Sequence, residues 1–136
     1  MYKIDLNLNI RIGYFVTIKI LLVDDDDGFR LAIKKALELE NYLSIEAKDG
    51  VEALRILAKE NIDLLITDVW MPKMNGMELS IKIKERYPKL NILGVSGGRR
   101  GDEASIEKMS KSFFTLFLSK PFSTEKLIKN ISILLE

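Results

Sequence analysis

The chain is organised around residues 62–76, which have the sequence IDLLITDVWMPKMNG. Residues 62–67 form a short run rich in Ile and Leu, which is typical of a strand buried on both faces. Asp68 ends this run, and Pro72 and Gly76 favour a turn before the next helical pattern. Because open parallel sheets gather ligands at the carboxyl ends of their strands, Asp68 is a candidate for chemistry.

The composition predicts one soluble globular domain that contains neither disulfides nor histidine chemistry. The chain has 136 residues, of which 47% are apolar and 30% charged, and its net charge is +1. Cysteine and histidine are both absent. This excludes thiolate and imidazole metal sites as well as Ser-His-Asp catalysis. Any chemistry must therefore use carboxylates, hydroxyls, lysine and a hard metal ion.

The amino-terminal region is apolar but has no membrane-spanning pattern. Polar residues interrupt it often enough that no apolar run reaches 18 residues, and it lacks the pattern of a secretory signal. We therefore expect a cytoplasmic protein. The near-zero net charge also gives no global field that would favour nucleic acid or an anionic membrane, so we expect neither as a partner.

Residues 1–16 form an amino-terminal extension. Five apolar residues alternate with polar ones before Gly13: Ile4, Leu6, Leu8, Ile10 and Ile12. This period of two is the mark of a half-buried strand. The extension is interpreted either as an additional strand or as a loose segment, and residues 17–136 as the folded domain.

From residue 17 onward, strand and helix patterns alternate five times. Strands are predicted at residues 18–23, 43–47, 62–67, 90–95 and 115–119, and a helical pattern follows each one. The fourth helix is predicted at residues 102–112. Asn41 is expected to end the first helix and Ser123 to cap the last. The alternation predicts an α/β fold with a doubly wound five-stranded parallel sheet and right-handed crossovers.

Polar groups follow several of the predicted strands. Asp24 and Asp25 follow the first, Asp68 the third, Ser96 the fourth and Lys120 the fifth. In a parallel sheet these side chains converge on one edge, where the carboxylates repel one another. A divalent cation relieves this repulsion, and oxygen ligands suit Mg²⁺. With Lys120 and Ser96 nearby, the edge could bind a phosphoryl group on Asp68.

Four motifs, in order and at similar spacing, resemble those of response-regulator receiver domains of two-component signalling. They are ILLVDD at residues 20–25, DVWMPKMNG at 68–76, VSG at 95–97 and KPF at 120–122. The resemblance covers residues 17–136. It implies the flavodoxin-like (βα)5 receiver fold and a phosphoacceptor domain that changes its protein-binding face. It further implies no enzymatic activity other than its own phosphorylation and dephosphorylation.

The resemblance also implies roles for individual residues. Asp68 would accept a phosphoryl group from a phosphohistidine on a kinase. Asp25, Asp68 and the backbone carbonyl of Trp70 would ligate Mg²⁺, and Asp24 would act through a metal-bound water. Ser96 would donate a hydrogen bond to the phosphoryl oxygen.

The carboxyl-terminal motif completes the implied site. Lys120 would pair with the phosphoryl group, and the Lys120–Pro121 bond is expected to be cis. Phe117 stands at the position of a switch aromatic. The implied partners are a sensor histidine kinase or a phosphotransfer protein and an unknown downstream protein, with the receiver acting as a monomer or weak dimer.

Three features depart from the usual receiver pattern. Residues 24–27 are four consecutive aspartates, so that the metal ligand is open to a shift of one position. Trp70 is large for a residue beside the acceptor, and we expect it either to restrict water attack or to be a plain hydrophobic residue. Phe113 and Phe114 replace a small pair, which predicts either an altered fourth helix or an apolar contact surface.

Two other functions compete with the phosphoacceptor. One is a receiver-shaped interaction module that is not phosphorylated. The other is a small haloacid-dehalogenase-like phosphatase, because Asp24 and Asp26 have the Asp-x-Asp spacing of that family. The phosphatase would leave Asp68 and its neighbouring motif unexplained.

Overall fold

The structure is a computed structural model that describes residues 17–97, 108 and 111–136. Within these residues the elements are, in order, β1 (Lys19–Val23), α1 (Asp27–Leu39), β2 (Leu43–Ala47), α2 (Gly50–Leu57), β3 (Leu64–Asp68), α3 (Gly76–Arg86), β4 (Asn91–Ser96), β5 (Leu116–Ser119) and α4 (Thr124–Leu135). Residues 111–113 are also helical. The amino-terminal extension and most of the helix predicted at 102–112 lie outside the described residues. No described helix is long and apolar enough to cross a membrane.

The five strands form one parallel sheet in the order β2-β1-β3-β4-β5, which confirms the predicted fold class. Every residue of β3 is buried, as expected for a central strand covered on both faces. Alternate strand residues enter two core layers. One packs against α1 and α4 and includes Leu22, Leu37 and Ile131; the other packs against α2 and α3 and includes Leu21, Leu57 and Ile83.

The predicted caps are confirmed, whereas several strand boundaries shift by one or two residues. Asn41 has φ of 63° just beyond α1, where its N–H bonds to the Glu38 carbonyl, and Ser123 accepts a hydrogen bond from the Lys126 N–H. The central strand begins at Leu64, two residues later than predicted. The preceding Asp63 instead accepts a hydrogen bond from the Lys19 N–H at 2.8 Å.

Phe113 and Phe114 do not form an apolar contact surface. Phe114 is buried, and its ring occupies the space above Gly94, where an added Cβ would come within 2.6 Å of it. The ring also stacks on Phe117 at a centroid distance of 6.3 Å. Phe113 is half-buried, and its carbonyl accepts a hydrogen bond from the Ser80 hydroxyl. The expectation of a contact surface was wrong because the Phe114 ring enters the core space that Gly94 leaves open.

Asp49 joins α2 to the loop that follows β3. Its buried carboxylate caps α2 by accepting a hydrogen bond from the Glu52 N–H at 2.8 Å. Lys73, at the tip of the β3–α3 loop, places its Nζ 3.5 Å from Asp49 Oδ2. The Glu52 N–H bond is the main cause that lowers the pKa of Asp49 below its usual value.

We predict that Asp49→Ala lowers the free energy of unfolding by about 1 kcal/mol at pH 7, because α2 loses its cap. Asp49→Asn should cost less, since an amide oxygen still caps the helix and Lys73 is well exposed. Because the folded-state pKa of Asp49 is lowered, its stabilisation is present above its unfolded pKa and is lost as pH falls through the folded value. Urea unfolding of the three proteins measures this. Equal losses for Ala and Asn would contradict the capping role.

Candidate functional site

Acidic and basic side chains meet at the carboxyl edge of the sheet. Asp24 and Asp25 follow β1, and Asp68 is the last residue of β3. Each of these three acids offers a ligand oxygen within 4.8 Å of the others. Lys120, which follows β5, places its Nζ 3.0 Å from Asp24 Oδ2 and 3.8 Å from Asp68 Oδ1. The structure therefore brings these four sequence-predicted residues together.

Asp68 is held by its own strand and by the turn that follows. Its side chain is nearly buried, and Oδ1 accepts a hydrogen bond from the Val69 N–H at 2.9 Å. The chain then turns back toward Asp68, and Gly76 donates its N–H to the Val69 carbonyl at 2.8 Å. An added Cβ at Gly76 would lie 2.3 Å from the Asp68 carbonyl oxygen. Only glycine permits this close turn, which Asn75 and Glu78 stabilise as a capping box at the start of α3.

The surroundings of Asp68 disfavour its charged form when no metal is bound. Burial is the main cause that raises the pKa of Asp68 to about 6, and the negative charge of Asp24 adds to it. Lys120 and the Val69 N–H act in the opposite direction. Desolvation and a like charge both penalise the carboxylate, so a cation at this edge would stabilise its ionised state.

The four consecutive aspartates divide into two pairs with different roles. Asp24 is buried, with Oδ2 bonded to Lys120 and Oδ1 accepting the Asp26 N–H at 2.9 Å. Asp25 is exposed but belongs to the carboxylate cluster. Asp26 caps α1, and Asp27 is the first residue of that helix. The start of α1 therefore assigns the first two acids to the cluster and the last two to the helix.

Arg30 is a residue of the site that sequence reasoning missed. Its guanidinium donates to the Asp24 carbonyl at 2.6 Å and to Glu46 Oε1 on β2 at 3.1 Å, and it also pairs with Asp27. Arg30 therefore ties α1 and the edge strand β2 to the backbone beside the acid cluster. Only the Asp27–Arg30 spacing on one helix was visible in the sequence.

The remaining predicted residues lie on β4 and β5 and in the segments that follow β3 and β5. Ser96 is buried at the end of β4, and its carbonyl accepts the Lys120 N–H at 2.8 Å. The Lys120–Pro121 bond is cis, as expected. Phe117 is half-buried in β5, and Trp70 is half-buried against the core layer under α2 and α3.

The carboxylate cluster fits a hard divalent cation. Its three acids supply only oxygen ligands, as Mg²⁺ prefers, and at full ionisation their negative charge exceeds the positive charge that Lys120 brings to them. The exposed Asp25 also leaves the cluster open to solvent, so a bound ion could keep water ligands. The residues present therefore suit magnesium.

Comparison with known sequences identifies relatives of two kinds. Residues 20–132 match the family described as Response regulator receiver domain. The chain is 38% identical over 115 residues to the sensor protein EvgS of Escherichia coli K12, covering 85% of this chain and 9% of that protein. It is 31% identical over 122 residues to the response regulator MprA of Mycobacterium ulcerans, covering 88% and 51%. The chain thus spans about a tenth of the length of EvgS and about half of the length of MprA.

Solved structures share the fold over most of the chain. A receiver domain from Clostridium thermocellum has a TM-score of 0.78 at 29% identity, covering 87% of this chain and 94% of that one. The chemotaxis response regulator CheY4 of Vibrio cholerae has a TM-score of 0.76 at 30% identity, covering 88% and 99%. The response regulator TrrA of Thermotoga maritima, in complex with Mg²⁺-BeF, has a TM-score of 0.77 at 26% identity, covering 87% and 99%.

These comparisons support neither the non-phosphorylated interaction module nor the small phosphatase. The matched family extends over most of the chain, and Asp24, Asp25 and Asp68 cluster at the carboxyl edge of the parallel sheet. The chain therefore belongs to the response regulator receiver domain family, and is homologous to the phosphoacceptor domains of response regulators and sensor kinases.

Proposed function

We propose that this receiver domain accepts a phosphoryl group on Asp68 and signals through an altered protein-binding face. One observation carries the proposal: a nearly buried carboxylate at the end of β3 lies within 4.8 Å of two further acids and 3.8 Å from a lysine ammonium. The donor would be a phosphohistidine on a sensor histidine kinase or a phosphotransfer protein. Relatives named as sensor kinases and as response regulators support a partner of this kind.

The proposed reaction is transfer of a phosphoryl group from nitrogen to oxygen. A carboxylate oxygen of Asp68 attacks the phosphorus atom while the bond from phosphorus to the donor imidazole breaks, and the imidazole nitrogen takes up a proton. Lys120 pairs with a phosphoryl oxygen and balances its charge, and the Ser96 hydroxyl donates a hydrogen bond to it. The protein contributes position and electrostatic stabilisation, which are the main needs of phosphoryl transfer.

Mg²⁺ is the proposed cofactor. Asp25, Asp68 and the Trp70 carbonyl would hold it directly, and Asp24 would do so through a water ligand. The ion would neutralise negative charge on the transferred group. Asp68 is thereby kept ionised and nucleophilic at neutral pH, against the burial that raises its pKa.

The proposed output follows from the added charge. An aspartyl phosphate brings roughly −1.5 to −2 charges and three acceptor oxygens. Ser96 would move toward these oxygens, and Phe117 would fill the space that it leaves. A downstream protein would bind the changed face around β5, as a shift between two packings. We propose no other enzymatic activity beyond the domain's own phosphorylation and dephosphorylation.

We predict that acetyl phosphate with Mg²⁺ adds one phosphoryl mass to the protein and none to Asp68→Asn, because the amide cannot act as the nucleophile. Intact-mass measurement checks this. Asp26→Asn is the matched control, since Asp26 caps α1 outside the carboxylate cluster, and it should gain the phosphoryl mass. Equal labelling of wild type and Asp68→Asn would contradict the assignment of the acceptor.

We further predict that Asp68→Asn stabilises the metal-free protein at pH 7.5 by about 1–3 kcal/mol, because it removes a buried charge beside Asp24. The raised pKa means that the cost of ionising Asp68 appears as pH rises through the window from 3.8 to about 6. The difference should therefore vanish near pH 4. Thermal unfolding in the presence of a chelator measures this difference in stability between wild type and Asp68→Asn. Added Mg²⁺ should reduce the difference, because it stabilises wild type more than the variant. A variant that is less stable at pH 7.5 would contradict this account.

We predict that Trp70→Ala accelerates loss of the phosphoryl group by roughly threefold or more, because a half-buried indole two residues from the acceptor restricts water attack. Trp70→Phe, which keeps most of the bulk, should remain close to wild type. Decay of the phosphorylated mass after removal of acetyl phosphate gives the rates. Unchanged decay in Trp70→Ala would assign Trp70 to plain hydrophobic packing.

A further inference from the structure

Phe29 lies directly beneath the lysine of the candidate site. The Lys120 Nζ is 3.9 Å from the centroid of the Phe29 ring, which is close enough for a cation–π contact. We infer that Phe29 is a positioning residue that holds the Lys120 ammonium at the place where it meets a phosphoryl group on Asp68. This inference rests on the proposed function.

The ring is fixed by its surroundings and can serve as a platform. Phe29 belongs to the first turn of α1, and its N–H donates to the capping carboxylate of Asp26 at 3.1 Å. Phe122 packs edge-on against the ring, with a centroid distance of 6.2 Å and an interplanar angle of 89°. The helix and its cap fix the position of Phe29, and Phe122 packs against the ring from the side.

Lys120 needs such a platform because its side chain is long and only partly buried. It is 23% exposed, and four flexible carbon–carbon bonds separate its charge from the backbone. Asp24 holds the ammonium from one side at 3.0 Å, and Asp68 lies at 3.8 Å. Phe29 holds it from another direction, so that the charge is placed by three groups from the segment after β1, from α1 and from β3.

The ring is suited to this task because it attracts the charge without accepting a conventional hydrogen bond. An ammonium has three N–H donors, and a carboxylate partner uses at least one of them. The face of the Phe29 ring attracts the cation through its quadrupole. The remaining N–H groups of the ammonium therefore stay available for oxygen acceptors at the site. A phosphoryl oxygen on Asp68 could then be met by a Lys120 ammonium that is already in place.

The experiment separates the face of the ring from its bulk. Phe29→Leu keeps an apolar side chain in the groove between α1 and the loop before α4 but removes the quadrupole, whereas Phe29→Tyr retains it. Beryllofluoride is the probe, in saturating Mg²⁺, and the fluorescence of the single Trp70 reports binding. We expect Phe29→Leu to weaken beryllofluoride binding by about threefold to thirtyfold, and Phe29→Tyr to restore most of it.

Two further measurements exclude a merely structural effect. Binding of Mg²⁺ alone should remain within about twofold of wild type in Phe29→Leu, because the proposed ligands are Asp25, Asp68 and the Trp70 carbonyl, and Phe29 supplies none of them. Phe122→Leu is the matched control, since it makes the same exchange of an aromatic for an aliphatic side chain in the same groove. It should weaken beryllofluoride binding less than Phe29→Leu does. Phe29→Met serves the same test if the leucine variant fails to fold.

The outcomes distinguish this inference from the proposed function. Wild type that fails to bind beryllofluoride in the presence of Mg²⁺ would overturn both. Wild type that binds it, with Phe29→Leu binding equally well, would overturn the role of Phe29 alone. Equal losses in Phe29→Leu and Phe122→Leu, or a parallel loss of Mg²⁺ affinity, would also overturn it, because they would mark damage to the groove.

Discussion

The constraint on which the structure depends is the crowding of three carboxylates at one edge of the sheet. Their ligand oxygens lie within 4.8 Å, and two unit charges 4 Å apart repel by about 4 kcal/mol at an effective dielectric near 20. Lys120 offsets part of this repulsion through Asp24, and burial keeps the pKa of Asp68 raised. The fold tolerates the remainder because β1 and β3, which lead to these acids, form the buried centre of the sheet. A stable core therefore holds an unfavourable site ready for a cation.

The order of the strands explains how residues distant in sequence reach this site. Lys120 and Asp24 are 96 positions apart, yet they share a hydrogen bond. Neighbouring β1 and β3 bring Asp24 and Asp68 side by side, while β5 lies two strands away from β3. The lysine spans this gap because its side chain is long. Ser96 ends the intervening β4, so this residue lies at the same edge of the sheet. Short aspartate side chains therefore suffice on the neighbouring strands β1 and β3, whereas the more distant β5 requires a long lysine side chain.

The sequence predicted those features that are set by local pattern. Apolar runs marked the five strands, and the residues after them marked the edge where Asp68 and Lys120 lie. Features that depend on packing between distant segments could not be predicted from the sequence. The burial of Phe114 depends on Gly94, twenty positions earlier, and the role of Arg30 depends on Glu46 of a neighbouring strand. The division of the four aspartates depended on where α1 begins, a boundary that a run of identical residues could not reveal.

The balance of charge at the site indicates why phosphorylation would need more than the lysine. Three ionised acids and Lys120 have a formal sum of −2, which one divalent cation cancels. Converting Asp68 to its phosphate replaces one negative charge by about two and leaves an excess of about −1. In the proposed site the Ser96 hydroxyl, a neutral donor buried at the end of β4, would meet this excess. Gly97 follows directly and has open space where a side chain would stand, so at this position no close contact would oppose a movement of Ser96. A local excess of charge would thereby become a change of surface.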